Sequence, residues 1–397
     1  MTAVMDSYPT HPLPASAGGE RAGVMASARV TMKVVSEQAW DDIVADFDGV
    51  CQEQLAIFAR LRWPDVRMEP AVFSVDGEFV GGSLMMIQRL PFGIGRIAVA
   101  KWGPMQARLD RADSQAIYEG MVDNLVEEYA VKRGMFLSVL PWATLDNHHA
   151  EYEHLMERGF EPGSRLLYPN RYIVNLRLDD AAQRKSFEQK WRYHLNKSEK
   201  AGLAFEHAGP DRLPEFDALY EQLVQRKQFA DHSAYDTVAS LMAIQNPALR
   251  PELFFVSHEG TVVGGAVIFK AGARAVYLYG ATTPAALDLR AGYFMHWHII
   301  RWLRDNTRAS WYDLGGTDGF QGLHQFKKGM VGTAGVISPI PRVAYYAAHR
   351  VPFMVGKLAF DARDALHHTL RFVDKLRKDR AKPDQPPHVE KNPRGGM

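Results

Sequence analysis

The segment AVFSVDGEFVGGSLMM at residues 71–86 recurs later in the chain as FFVSHEGTVVGGAVIF at residues 254–269. Each copy has an apolar run, an acidic residue followed by glycine, and a second apolar run that contains a double glycine. Two apolar runs joined by a short acid–glycine turn are typical of a β-hairpin. The recurrence therefore predicts that the chain contains two copies of one structural unit.

The segments that follow the two hairpins correspond as well. Each reads as a loop, an amphipathic helix, a short turn and an apolar strand. The apolar residues predicted to share one helical face are Ile117, Met121, Leu125 and Val126 in the first copy and Met295, Ile299, Trp302 and Leu303 in the second. The pattern predicts a mixed α/β (α+β) fold built as a tandem duplication.

A chain of 397 residues has the length of two domains, and its composition limits the kind of protein it forms. The net charge of +1 predicts no general attraction to nucleic acid or membranes, so a polyanionic partner needs a local patch. The single cysteine, Cys51, excludes an internal disulfide, and we expect it to be buried. No apolar run approaches the roughly 18 residues of a membrane span, which favours a cytoplasmic protein.

The predicted parts of the chain differ in composition. They are a disordered tail at residues 1–28, a first domain at 29–178, a second domain at 179–345, C-terminal helices at 346–382 and a disordered, proline-rich tail from 383 to 397. The last helix ends in a basic stretch, Arg371 to Lys382, that could touch an anionic membrane, although docking on the first domain is the favoured alternative. The adjacent histidines of the chain lack partners at metal-site spacing, so no metal is predicted.

A hairpin, a further strand, a helix and a strand resemble the layout of an acyl-CoA N-acetyltransferase (GNAT) domain. That fold normally binds the coenzyme A pyrophosphate with a glycine-rich loop, R/Q-x-x-G-x-G/A, at the start of the helix. After Arg290 this chain has Tyr293 and Met295 at the glycine positions, and the first copy, near Arg111, lacks the motif too. We therefore expect the fold without coenzyme A as donor and without another cofactor.

Between the two copies lies a predicted helix within FEQKWRYHLNKSEKAGLAFE, residues 187–206. Phe187, Trp191 and Leu195 recur at helical spacing, the adjacent stripe is cationic, and Gly202 supplies a stop. Arg192 and Lys197 are candidates for binding phosphate. The alternative is a solvated amphipathic helix in which Glu188 pairs with Arg192.

A second functional segment is YDLGGTDGFQGLHQFKKGM, residues 312–330. It combines a strand end, a glycine-rich turn and the cluster Phe326, Lys327, Lys328 and Gly329. Together with the W-R-x-x-L-x-K-x-E-K-A-G-L helix and the Tyr277–Gly280 strand, this segment resembles the FemAB family of aminoacyltransferases. The resemblance covers roughly residues 30–345.

The resemblance implies tandem GNAT-like domains that take an amino acid from aminoacyl-tRNA and attach it to an amine. The implied acceptor is a peptidoglycan precursor or a similar small amine. An aminoacyl ester is already activated, so positioning and stabilisation of an oxyanion do most of the work. Two alternatives stay open: an N-acyltransferase that uses acyl-CoA or another thioester in cell-envelope or polysaccharide biosynthesis, and a non-catalytic binding protein.

The aromatic–lysine pair of the family corresponds here to Phe326 and Lys327. By resemblance Lys327 meets the tRNA terminus or the developing negative charge, and Phe326 stacks or shapes the channel, with a core role for Phe326 as the alternative. Lys328 is a substrate-binding candidate or a solvated neighbour, because consecutive side chains of an extended segment point in opposite directions.

The strand that precedes this segment supplies further candidates. Tyr277 and Tyr279 are predicted to share a strand face by the period of two, and one of them lines the acceptor crevice by resemblance. The alternative is a buried tyrosine pair. Asp313 is a candidate general base, with an alternative role in bonding the turn amides of Gly315 and Gly316, whose flexibility permits close approach of substrate.

This chain departs from the family pattern in two places. Relatives that hold a nucleotide-linked muropeptide tend to present an arginine before a tyrosine, whereas this chain has His232 before Tyr235. Tyr235 remains a substrate-binding candidate. The long helical arm that some relatives insert has no room here. Recognition of a diphosphate and RNA binding through that arm are therefore not expected.

Overall fold

The computed structural model describes residues 29–90, 93–145, 148–227 and 234–380, with residues 367–380 as backbone alone. The two predicted tails and His232 lie outside these residues, as do the side chains of the predicted basic stretch. Within the described residues no helix is long and apolar enough to cross a membrane.

The first sheet has eight strands in the order β1-β2-β3-β4-β6-β15-β7, with β5 paired to β3. Its strands are β1 (Thr31–Val34), β2 (Arg67–Val75), β3 (Glu78–Arg89), β4 (Arg96–Lys101), β5 (Met105–Gln106), β6 (Phe136–Leu140), β7 (Glu161–Pro162) and β15 (Ala344–Tyr346). The pair β4 and β6 is parallel, and the other pairs are antiparallel.

The second sheet has seven strands in the order β14-β8-β13-β12-β11-β10-β9. Its strands are β8 (Asn170–Asn175), β9 (Leu203–Ala208), β10 (Glu252–His258), β11 (Thr261–Phe269), β12 (Arg274–Thr282), β13 (Trp311–Asp313) and β14 (Val336–Pro339). Again one pair, β12 and β13, is parallel. Read from opposite ends, the two sheets therefore have the same arrangement of strands, which confirms the predicted tandem α/β duplication.

Two strands, β8 and β15, pair in a different sheet from the one that the domain boundaries predicted at residues 178 and 345 assign to them. Strand β8 lies in the predicted first domain but pairs with β13 of the second sheet. Strand β15 follows the second unit in the chain but pairs with β6 of the first sheet. The second sheet thus contains β8, which follows the first unit in the chain, and the first sheet contains β15, which follows the second unit.

The two hairpin turns have the conformation that their sequences predict. Asp76 and Gly77 have φ angles of 50° and 84°, and Glu259 and Gly260 have φ angles of 50° and 77°. Positive φ at both central positions matches the right-handed twist of the flanking strands. In both hairpins the register of the strand pairing shifts shortly before the turn. The shift follows Phe73 in the first copy and Val256 in the second.

Helices cover both sheets, and their buried faces follow the predicted stripes. They are α1 (Glu37–Val44), α2 (Ala56–Arg62), α3 (Ser114–Leu125), α4 (Ala150–Glu157), α5 (Asp180–Ser186), α6 (Gln189–Ser198), α7 (Leu213–Lys227), α8 (Val238–Met242), α9 (Ala285–Asp288), α10 (Ala291–Asn306), α11 (Gln321–Val331) and α12 (Arg350–Arg380). A π-helical turn, Val126–Lys132, continues α3. In α10, Met295, Ile299 and Leu303 are buried as predicted, and Trp302 is partly buried.

The first part of α12 packs on the first sheet. Phe353 and Phe360 lie 5.8 and 5.9 Å from the ring of Phe136 on β6. Gly356 permits this contact, because a Cβ atom there would stand 2.2 Å from Phe136 Cγ. This geometry confirms the favoured alternative for the terminal helix, docking on the first domain.

The two units share one apolar cluster. Phe269 and Val276 of the second sheet pack in the same cluster as Trp40 and Phe58 of the first unit. Cys51 is 1% exposed, as expected, and burial raises the pKa of its thiol to about 12. The shared cluster fixes the two units against each other.

Candidate active site

The second sheet opens at the end of its parallel strand pair. Strand β13 pairs with β12 only from Trp311 opposite Arg274 to Asp313 opposite Val276. Strand β12 continues to Thr282, and residues 277–280 are half-exposed although their strand lies in the centre of the sheet. The uncovered part of β12 therefore forms the floor of a cleft beside the glycine-rich turn.

The two tyrosines of this floor lie on opposite faces of the sheet, which corrects the predicted shared face. Val267 pairs with Tyr279 and the next residue, Ile268, pairs with Tyr277, so Leu278 is an additional residue in β12. Such a β-bulge breaks the period of two. Tyr277 lies 5.0 Å from the ring of His296 on α10, whereas Tyr279 lies 5.1 Å from the ring of Tyr235 on the other face.

The side chain of Tyr277 lies along β12 and covers Gly280, three residues further on. A Cβ atom at Gly280 would stand 1.6 Å from the Tyr277 hydroxyl oxygen. Burial raises the pKa of the Tyr277 phenol, so this hydroxyl is protonated and can donate a hydrogen bond at neutral pH. The glycine after the two tyrosines is therefore required by the position of the Tyr277 ring.

Asp313 ends β13 and is completely buried. Both of its carboxylate oxygens lie 3.1 Å from Nε of Arg171, which comes from the neighbouring strand β8. The amide N–H of Gly315 donates to Oδ1 at 2.9 Å, and Gly315 has a φ of 76°. This geometry fits the turn-bonding alternative for Asp313 and leaves its carboxylate without the exposed surface that a general base needs.

Lys327 reaches the same turn from α11. The segment that contains it is a helix, which corrects the extended conformation assumed for residues 326–329. Its side chain is buried, with 7% exposure for the residue, and Nζ donates to the carbonyl oxygens of Leu314 at 2.6 Å and Gly316 at 2.5 Å. Two of the three ammonium donors are thus used to hold the turn.

The charge on Lys327 is held in an unfavourable environment. Burial, and next the positive charge of Arg171, lowers the pKa of Lys327 to about 8, while Asp313 and Asp318 oppose the shift. The neighbouring His296 is buried, and burial together with the charge on Lys327 lowers its pKa to about 3. His296 is therefore neutral, and Lys327 is the titratable cation of the cleft.

Phe326 and Lys328 flank Lys327 on different faces of α11. The Phe326 ring is partly buried and lies 4.9 Å from Tyr293 and 5.6 Å from His296. The Lys328 side chain is 49% exposed and lies 3.7 Å from the carboxylate of Glu188. Glu188 thus pairs with Lys328 rather than with Arg192, as was predicted. The exposure of Lys328 fits the alternative in which it is a solvated neighbour of Lys327.

The remaining candidates lie away from Lys327. Arg192 on α6 donates to the carbonyl oxygens of Lys185 and Phe187, so it stabilises the α5–α6 junction. Lys197 is exposed on α6. Tyr235 stacks on Tyr220 at 3.8 Å and donates to Asp217 at 2.6 Å, on the α7 face of the sheet. The fold thus brings together Tyr277, Asp313, Gly315, Gly316, Phe326 and Lys327, and separates Tyr279, Tyr235, Arg192 and Lys197 from them.

Charged residues that the sequence analysis missed lie near Asp313. Arg274, at the start of β12, donates to the carbonyl oxygen of Ala143 at 3.0 Å and interacts electrostatically with Asp313. Glu151 on α4 lies within electrostatic range of Arg274, and burial raises its pKa to about 7 against the opposing effect of that arginine. Residues from both units therefore contribute charge to one region, and no spacing in the sequence relates them.

The cleft thus offers a buried ammonium and a tyrosine hydroxyl. In the described part of the chain no three His, Cys, Asp or Glu side chains are grouped to hold a metal ion. Such a set is suited to orienting a neutral nucleophile and stabilising an oxyanion. It has the composition of a site for transfer of an already activated acyl group.

Comparison with known proteins agrees with the fold and the class of reaction. The FemAB family model matches residues 71–235, and a model described as acetyltransferase (GNAT) domain matches residues 184–328. The crystal structure of FemX is similar over 80% of this chain and 97% of its own, with 17% identity and a TM-score of 0.65. A conserved protein of unknown function from Bacteroides thetaiotaomicron VPI-5482 covers 80% and 98%, with 14% identity and a TM-score of 0.52. No curated protein sequence matches this chain.

Proposed function

We propose that this chain, which belongs to the FemAB-like family with its tandem GNAT-like fold, moves an amino acid from aminoacyl-tRNA to an amine. The chain is an acyltransferase of the FemAB and GNAT type. The proposed acceptor is a peptidoglycan precursor or a similar small amine, and the product is an amide. The observation that carries this proposal is the buried Lys327 at the open end of β12 and β13, in a unit whose α10 begins without the glycine-rich coenzyme A loop.

The proposed reaction is aminolysis of an ester. The acceptor nitrogen attacks the ester carbonyl, a C–N bond forms and the bond to the 3′-oxygen of the RNA breaks. The proton lost by the acceptor nitrogen ends on the departing 3′-oxygen. No redox partner is required, and the ester supplies the driving force.

Lys327 acts on the oxyanion in this proposal. Two of its N–H groups hold the carbonyls of Leu314 and Gly316, and the third is directed to the carbonyl oxygen of the ester as it gains charge. Asp313 is a positioning residue that acts through Arg171 and the Gly315 amide. Tyr277, on the side of the sheet that carries His296, is the tyrosine proposed to contact the acceptor amine.

The test supplies purified protein with tRNA charged with labelled amino acids, together with peptidoglycan precursors, and follows label into an acid-stable amide. We expect transfer from some of the charged tRNAs and none from uncharged RNA with free amino acid. Acetyl-CoA and longer acyl-CoA thioesters are tested in parallel wells. Consumption of a thioester with no transfer from any charged tRNA would replace this proposal with the acyl-CoA alternative, which the GNAT match at residues 184–328 favours.

A lipid-linked acceptor would require contact with a membrane, and we propose α12 for this role. Its outward face carries exposed apolar side chains at helical spacing. They are Val351, Met354, Leu358 and Leu366, with exposures of 69%, 63%, 65% and 57%. The helix then enters a sequence rich in lysine and arginine, which is the charge pattern that attracts anionic lipid.

The membrane contact is tested by sedimentation with vesicles. Leu358→Glu is expected to reduce binding to anionic vesicles at least about fivefold, because it places a charge in the apolar stripe. Val131→Glu changes an exposed apolar residue elsewhere and serves as the control. Equal binding of both variants and the unmodified protein would contradict the contact.

A further inference from the structure

The side chain of Arg171 reaches the Lys327 cleft from β8 and has free donors there. Its Nε donates to both carboxylate oxygens of Asp313 at 3.1 Å. The two terminal nitrogens of the guanidinium carry the other four N–H groups of an arginine. In the described part of the chain these nitrogens have no acceptor, and they are not enclosed, since the side chain is 18% exposed. A substrate in the cleft can therefore contact this end of Arg171.

The same end of Arg171 and the ammonium of Lys327 border one open point beside Gly315. A Cβ atom on Gly315 would stand 3.9 Å from Nζ of Lys327 and 4.0 Å from Nη1 of Arg171. Apart from Gly315 and its two chain neighbours, no other heavy atom of the described residues lies within 4 Å of that point. The absence of a side chain at Gly315 thus leaves a space that is lined by two cationic nitrogens.

The two cations beside this space share one close carboxylate. Asp313 is completely buried and forms its ion pair with Arg171, whereas Lys327 has no carboxylate within 4 Å among the described residues. Burial, and next the positive charge of Arg171, lowers the pKa of Lys327, against the opposing effect of Asp313 and Asp318. Negative charge that develops beside Gly315 would relieve the repulsion between the two cations and be stabilised by both.

We infer that Arg171 is a catalytic residue, which together with Lys327 donates to the oxyanion in the space beside Gly315. The inference rests on the proposed function for its reaction. As the acceptor nitrogen bonds to the acyl carbon, the π-electron pair of the carbonyl moves to its oxygen. This oxygen accepts one N–H of Arg171 Nη1 and the third N–H of Lys327. The pair re-forms the carbonyl when the bond from the acyl carbon to the leaving oxygen breaks.

The test must separate this role from the ion pair, because Arg171 also holds Asp313. Arg171→Gln leaves the buried Asp313 carboxylate without its cation and is expected to lower the urea midpoint of unfolding. Arg171→Gln combined with Asp313→Asn replaces the ion pair with two neutral amides and is expected to recover most of that midpoint. We expect kcat of this double variant to remain about 100-fold low with KM within about twofold, because the lost donor acts in the transition state.

Arg133 and Glu69 provide the matched control in the first unit. Glu69 is 4% exposed, and Arg133 donates to its two carboxylate oxygens at 2.5 and 2.9 Å. Arg133→Gln combined with Glu69→Gln makes the same exchange of a buried ion pair for amides and is expected to keep kcat within about twofold. Recovery of full kcat by the Arg171 and Asp313 double variant would show that Arg171 only holds Asp313, and would overturn the inference.

The choice of donor distinguishes this inference from the proposed function. The variants are assayed with whichever donor the unmodified protein consumes, charged tRNA or an acyl-CoA thioester, because aminolysis of either passes through an oxyanion. Consumption of the thioester alone would end the proposed function, and the same variants would still decide the role of Arg171.

A binding measurement decides the role of Arg171 if neither donor is consumed, in which case the proposed function fails. The probe is methylphosphonate, whose charged oxygens on a tetrahedral centre represent the oxyanion. Binding is followed by NMR of protein labelled with ¹³C at lysine Cε, through the resonance that is missing in Lys327→Arg. We expect the Arg171 and Asp313 double variant to bind at least about tenfold more weakly, since it lacks a charged donor. Equal binding by the double variant and the unmodified protein would overturn the inference.

Discussion

The two repeat units share one strand order but differ at the end of the parallel strand pair. In the first unit β4 stays paired with β6 as far as Lys101 and Leu140, and β6 is buried along its whole length. In the second unit the pairing stops at Val276 and Asp313, and residues 277–280 of β12 are half-exposed. The same fold therefore forms a closed support in one copy and an open cleft in the other.

The chemical contents of the two strand ends differ in the same way. Counted from the first parallel pair of each unit, Ser138 takes the place of Asp313, and Leu140 takes the place of Gly315. Ser138 is 2% exposed and lies in a strand of apolar residues. In the second unit Gly315 follows the strand end with a φ of 76°, and Lys327 donates to the carbonyl oxygens of Leu314 and Gly316 on either side of it. The comparison teaches that the loss of two strand pairs and the presence of one buried lysine distinguish the unit that carries the candidate site from the other unit.

The largest expected effect is that of Lys327→Ala. Removal of the buried ammonium is expected to lower kcat/KM for aminoacyl transfer by about 100-fold or more, as for other oxyanion donors. Lys328→Ala removes an exposed ion pair on the next residue and is expected to change kcat/KM by less than about twofold. Steady-state kinetics of the two variants measures the difference. Equal activity of the two variants would show that the open end of the second unit is not the site of transfer.

The next effect concerns the buried pair that closes the base of the cleft. Asp313→Asn leaves the charge of Arg171 without its partner and is expected to destabilise the protein by about 3 kcal/mol. Urea unfolding measures this loss. Asp46→Asn breaks an exposed pair with Arg108 and is expected to cost less than about 1 kcal/mol. If the two substitutions cost the same, Asp313 does not hold the strand end.

A smaller effect is expected from a single methyl group on the cleft floor. Gly280→Ala forces the Tyr277 ring away, since the added Cβ atom would lie 1.6 Å from its hydroxyl oxygen. We expect about a tenfold loss of kcat/KM, because a catalytic group is displaced. Gly264→Ala on the adjacent strand β11 meets neighbours at 3.4 Å and is the matched control. Retention of full activity by Gly280→Ala would remove Tyr277 from the site.

The smallest expected effect is a shift in pH dependence. The pKa of Lys327 lies at about 8, below its ordinary value of 10.5, so the ammonium is present below pH 8 and lost above it. We expect kcat/KM to fall above pH 8. Lys327→Arg, which keeps its charge, is expected to move this alkaline limb upward, whatever its effect on the maximum rate. Lys328→Arg should leave the limb unchanged, and a limb that is insensitive to Lys327→Arg would assign it to another group.

Local features of the fold could be predicted from the sequence. The hairpins followed from the acid–glycine turns, and the buried faces of α3, α6 and α10 followed from helical spacing. Helix α11 could also have been predicted from the sequence, because Leu323, Phe326 and Met330 recur at helical spacing. The prediction of an extended segment at residues 326–329 did not use this spacing. The end of α6 before Gly202, which has φ 67°, was likewise a local signal.

The rest depends on contacts between distant parts of the chain. The bulge at Leu278 moves Tyr277 and Tyr279 to opposite faces of the sheet, which the period of two along a regular strand does not predict. The pairing of β8 with β13 of the second sheet places Arg171 beside Asp313, and no spacing in the sequence predicts that ion pair. Glu151 and Arg274 interact electrostatically although they belong to different units. The strand end and the glycine-rich turn of the candidate site could therefore be identified from the sequence, and the charge network around them could not.

Hydrogen exchange in the presence of a donor analogue tests the difference between the units most directly. The analogue is a CCA-ended RNA hairpin that carries its amino acid through a stable amide in place of the ester. At saturation we predict slower amide exchange in peptides that cover residues 277–282 and 314–320, with no change in residues 99–106 and 136–142 of the first unit. Protection confined to the first unit, or no protection in the second unit at saturation, would contradict an open cleft that binds the activated acyl group.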